Sequence, residues 1–85
     1  MTCRIAELQY KELVDISSGL RYGFISDLEI DVERGTIENI VVYGKPRAFG
    51  IFGRDSDTIF PWKAIKRVGT DLILVDASEK TNNFR

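Results

Sequence analysis

Five carboxylates between positions 27 and 38 carry the most chemistry-like spacing in the chain. Asp27, Glu29, Asp31, Glu33 and Glu38 occupy positions 1, 3, 5, 7 and 12 of a twelve-residue window, the ligand spacing of an EF-hand calcium loop. Two features oppose that reading. Position 6, where the loop needs Gly for its sharp turn, is Val32, and the flanks alternate with the period of a strand, not a helix. On a strand, Asp27, Glu29 and Asp31 lie along one face about 6.6–6.8 Å apart, too spread to converge on one ion. They read as a solvated strand face, and no metal site is assigned.

Other catalytic constellations are missing. The chain has no His and one Cys. Ser17, Ser18, Ser26, Ser56 and Ser78 have no evident base, and Asp55 and Asp57 border a loop, where turn formation explains them. Gly50-Ile51-Phe52-Gly53 lacks the Gly-Lys-Ser/Thr ending of a phosphate loop. The reading is therefore not an enzyme: no catalytic residues, no cofactor and no small-molecule substrate are expected. Cys3 permits no internal disulfide, fits a reducing cytoplasm and reads as a small, partly buried residue.

The better candidate is the stretch 44–57, which holds three glycines (Gly44, Gly50 and Gly53) and Pro46 and loses all periodicity. A loop this long in so small a chain is more often functional than decorative. Lys45, Arg47 and Arg54 interleave with Tyr43, Phe49, Ile51 and Phe52. Aromatic residues and arginine are the favoured anchors of protein interfaces, so the expected contact is a protein partner or self-association as a homo-oligomer. RNA is the alternative, since aromatics beside cations also stack on unpaired bases and hold phosphate. Lys63, Lys66 and Arg67 extend this basic surface if the chain folds back. Trp62, after Pro61, reads first as core or rim and completes the candidate set.

These residues need a scaffold. Phe24, Leu28, Ile30 and Val32 alternate with Asp27, Glu29 and Asp31, which predicts one strand over 24–32 with a buried apolar face. A Gly35 turn joins it to the β-branched run 36–43, giving an antiparallel hairpin. Ile5 and Leu8 suit one helical turn, and residues 12–16 a short strand. Gly19 is expected at positive φ, and Gly23 at a bulge or bend. Residues 58–60 return to strand before Pro61, and Ile65 and Val68 suggest a second helical turn. The apolar run 72–75 predicts a fully buried closing strand. The sum is an all-β fold: a small, partly closed barrel of about five to six short antiparallel strands with one or two helical turns.

Eighty-five residues make one domain; residues 1–76 are read as that domain and 77–85 as a flexible C-terminal tail. The hydrophobic fraction of 44% is ordinary for a globular chain, and a formal charge of −1 gives no global field for nucleic acid or an anionic membrane. The longest apolar runs are about four residues, far below the ~20 needed for a membrane span, and the N-terminus lacks the pattern of a signal peptide.

Taken together, Leu13-Val14-Asp15 before a Gly turn, Gly23-Phe24-Ile25-Ser26-Asp27-Leu28-Glu29-Ile30-Asp31, Ile40-Val41-Val42, Ile59-Phe60-Pro61-Trp62 and the run from Ile65 to Val75 resemble the PRC-barrel superfamily. That superfamily includes a domain of the photosynthetic reaction centre H subunit and the C-terminal domain of a ribosome-maturation factor. Within it the chain looks most like the short YlmC/YmxH family of spore-forming bacteria, over roughly residues 3–76. The resemblance implies a sporulation-associated cytoplasmic protein on a fold used mainly for contacts with proteins or RNA. Fold alone does not transfer function.

Overall fold

The computed structural model describes residues 2–44 and 56–83. A single helical turn, α1 (Ile5–Leu8), precedes eight strands: β1 (Glu12–Asp15), β2 (Arg21–Phe24), β3 (Asp27–Asp31), β4 (Thr36–Val42), β5 (Asp57–Pro61), β6 (Ile65–Val68), β7 (Leu72–Val75) and β8 (Thr81–Asn83). They form two four-stranded sheets, in the orders β2-β1-β7-β6 and β3-β4-β5-β8. All ladders are antiparallel except β1–β7, which is parallel. The class is mainly β, as expected, with more strands than the five or six anticipated. The two sheets face each other without closing into a single hydrogen-bonded cylinder among the described residues.

The core lies between the sheets. Leu13, Ile73 and Val75 from one sheet cluster with Ile40 and Phe60 from the other, and Leu8, Ile25 and Ala64 belong to the same cluster. Tyr22 of β2 meets Phe60 of β5 edge to face, with ring centroids 5.1 Å apart and planes at 80°, a favoured aromatic geometry that ties one sheet to the other.

The stretch 24–32 is not one strand. The chain leaves the first sheet after Phe24 and enters the second at Asp27, so Ile25 turns into the core at 7% exposure while Phe24 is 53% exposed. Crossing between sheets exchanges which parity faces inward. Beyond Leu28, which packs on the core, a bulge between Glu29 and Ile30 carries the strand past its edge, and Ile30 and Val32 are 53% and 88% exposed. The hairpin itself holds: β3 and β4 pair antiparallel, and Gly35 (φ 69°) closes the turn with its N–H on the Asp31 carbonyl at 2.7 Å. Asp31 Oδ1 also accepts from the N–H groups of Glu33 and Arg34.

Gly23 (φ 89°) lies at the expected bulge, where Leu13 pairs Gly23 but Val14 pairs Arg21. Four expectations change. Residues 65–68 form β6, not a helical turn; the turn comes one step earlier, as a 3₁₀ turn over Trp62–Ala64 after the extended Pro61. The run 72–75 lies in the middle of its sheet, but only Ile73 and Val75 are buried, because its other face looks to solvent. Residues after Val75 continue through a 3₁₀ turn (Ala77–Glu79) into β8, which pairs with β5, so the stretch read as a tail supplies an edge strand. Cys3 is exposed, not partly buried: it precedes α1, with its Sγ beside the Glu7 carboxylate. Among the described residues, no helix is long and apolar enough to cross a membrane.

Candidate partner-binding site

The segment 44–57 leaves the second sheet between its two central strands. β4 and β5 pair in register from Asn39↔Pro61 to Val42↔Thr58, which brings the two ends of the segment side by side. Asp57, 2% exposed, accepts a hydrogen bond from the Gly44 N–H on Oδ1 at 2.9 Å. A buried carboxylate must be satisfied by donors, and here a donor is the backbone at the other end of the segment.

Tyr43 stands at the exit of β4. Its N–H donates to Ser26 Oγ at 2.9 Å, its hydroxyl donates to Asp27 Oδ2 at 3.2 Å, and the residue is 38% exposed. The ring is thus held over the start of β3 with part of its surface open. Trp62 is also open, at 39%, but sits beyond the other end of β5, about 17 Å of extended chain from Asp57. The structure does not bring it to the base of the segment. Lys45, Arg47, Phe49, Ile51, Phe52 and Arg54 lie outside the described residues.

The basic residues after Trp62 go elsewhere. Lys63 and Lys66 both reach Glu79, at 3.3 and 4.0 Å, and Arg67 lies on β6 of the first sheet. The acidic series is dispersed into local duties: Asp27 receives Tyr43, Glu29 accepts from the Asn39 amide at 3.0 Å, and Asp31 caps its turn. Among the described residues no three His, Cys, Asp or Glu side chains converge to hold an ion. The Cys3 thiol is held above its ordinary range, by desolvation first and then by the Glu7 carboxylate, which its Sγ approaches to 3.4 Å. That is the reverse of an activated thiol.

One structurally important polar residue, Asp15, enters the sequence reading only within the run Leu13-Val14-Asp15, with no role of its own. Its Oδ2 accepts from the Ser18 N–H (2.9 Å) and hydroxyl (2.7 Å), and Oδ1 from the Ala77 N–H (3.1 Å). The Ser18 hydroxyl, then the Ala77 and Ser18 amides, lower its pKa to about 2. Asp-Ile-Ser-Ser signals the local turn; nothing local signals Ala77.

The PRC-barrel domain model matches residues 2–82, and the chain belongs to that family. It is 39% identical over 75 residues to the probable sporulation protein YlmC of Bacillus subtilis (strain 168), covering 88% of this chain and 93% of that protein. It is similar as well to the uncharacterised protein YmxH of the same organism, at 34% over 79 residues, 91% of this chain and 92% of that one. A third relative, an uncharacterised protein of Clostridium acetobutylicum, is 33% identical over 72 residues, 85% and 82% of the two chains.

Proposed function

We propose that this protein is a non-enzymatic interaction module, associated with sporulation and cytoplasmic, that contacts a protein partner or another copy of itself through the segment 44–57. The observation that carries the reading is the buried clasp at the segment's base, where Asp57 receives the Gly44 N–H at 2.9 Å. Fixed ends reduce the ordering cost of a contact, and Phe49, Ile51 and Phe52 are of the types that anchor interfaces. Tyr43 adds a fixed, partly open ring beside them in sequence. The sporulation association rests on the similarity to the probable sporulation protein of Bacillus subtilis.

The test is affinity capture from cells entering sporulation, with Phe49→Ala/Phe52→Ala as control. The reading expects a protein retained by the unaltered chain and lost by the double variant. RNA is the other outcome: affinity then falls steeply with salt, and Arg47→Ala/Arg54→Ala flattens that dependence. Capture unaffected by the Phe substitutions would overturn the assignment to this segment.

A further inference from the structure

The outer face of the sheet β2-β1-β7-β6 carries a pattern that the loop reading leaves unused. Leu13 and Ile73 pair in register and are both fully buried, so their neighbours along each strand face away from the core. One outward row runs Phe24, Glu12, Leu72 across three strands; the next runs Arg21, Val14, Leu74, Arg67 across all four. Phe24 and Leu72 are 53% and 38% exposed, and Val14 and Leu74 are half-buried. A concavity of about 380 Å³ opens at one corner, lined by Arg67, Asp71, Leu72 and Leu74 among others.

The rows differ in charge. The first holds Glu12, with Asp71 one residue before Leu72; the second holds Arg21 and Arg67. We propose that two copies of this chain pack through this face about a two-fold axis that lies in the contact between them, parallel to the sheet, across the strands and between the rows. That operation lays each row on the other row of the second copy, an isologous contact. Leu72 then covers the second copy's Leu74, and Arg67 meets its Asp71, twice over. An axis along the strands would instead set Arg21 against Arg67, a like-charge clash. Antiparallel strands facing across the contact suit aligned sheet packing. Among the described residues Arg67 makes no ion pair, while Glu12 already holds Arg21 at 3.0 Å. The face belongs to the sheet β2-β1-β7-β6, whereas the ends of the segment 44–57, Gly44 and Asp57, stand on the other sheet.

Sedimentation equilibrium on the full chain, from low to high micromolar, tests it. The unaltered protein is expected to be a dimer, and Leu72→Glu a monomer with its melting temperature retained. Arg67→Glu is expected to weaken the dimer about tenfold or more, and Arg67→Glu/Asp71→Arg to restore it; Phe49→Ala/Phe52→Ala should leave it intact. A monomer throughout, a dimer that survives Leu72→Glu, or a charge swap that restores nothing overturns the proposal. Loss of the dimer in the Phe variant alone also overturns it and moves self-association to the segment.

Discussion

Asp15 shows how one side chain can join distant parts of a small chain. Its carboxylate fixes the Ser18 turn locally and receives Ala77 from sixty-two residues away. Because these donors favour the ionised form, its pKa falls from 3.8 to about 2 on folding. The stabilisation is present above pH 3.8 and is lost as the pH falls from there towards 2. Asp15→Asn is therefore expected to lower the melting temperature by several degrees at neutral pH and to flatten the acid limb over that window, read by circular dichroism. Gly23 is the other sensitive residue. No neighbour obstructs a Cβ there, yet φ is +89°, so Gly23→Ala is expected to cost about 1–2 kcal/mol through backbone strain alone, measured by urea denaturation. The bend at Gly23 was legible because glycine is the residue that tolerates it. The Asp15–Ala77 bond was not, because long-range pairing leaves no local mark.

At the scale of elements, each sheet draws strands from both halves of the chain. β7 returns to pair with β1, and β8 returns to pair with β5. Phe60 lies where the sheets meet, fully buried and against Tyr22. Phe60→Ala is expected to cost about 3–5 kcal/mol, as cavity-forming truncations of buried aromatics do, with the loss seen in chemical denaturation. Truncation after Lys80 removes β8 and bares the edge of β5 from Asp57 to Ile59. It is expected to lower the melting temperature and to promote aggregation visible in light scattering. The β3–β4 hairpin was legible because its turn and β-branched second strand are local signals. The burial of Phe24, Ile30 and Val32 was misread because strict alternation says which residues share a face only while the chain stays in one sheet. It leaves that sheet at Ile25, and the bulge after Glu29 carries the strand off the core. β8 was overlooked because Thr81-Asn82-Asn83 has no apolar pattern; its place comes from the open edge of β5.

Over the whole molecule, two sheets with interleaved strands form a frame that holds the ends of the segment 44–57 together at Gly44 and Asp57. The sequence marks that segment by composition, since glycines, aromatics and arginines replace periodicity there. It could not mark Trp62 as separate, because the length of β5 between them is a property of the fold. Family membership accounts for the frame and leaves the contact to be determined by its own residues. The most direct test of that contact is the affinity of the captured protein partner for purified unaltered chain and for Phe49→Ala/Phe52→Ala, with melting temperatures recorded for both. The account predicts equal melting temperatures and at least about a tenfold loss of affinity in the double variant, the size expected for anchor residues. Equal affinities in two equally stable proteins would contradict it.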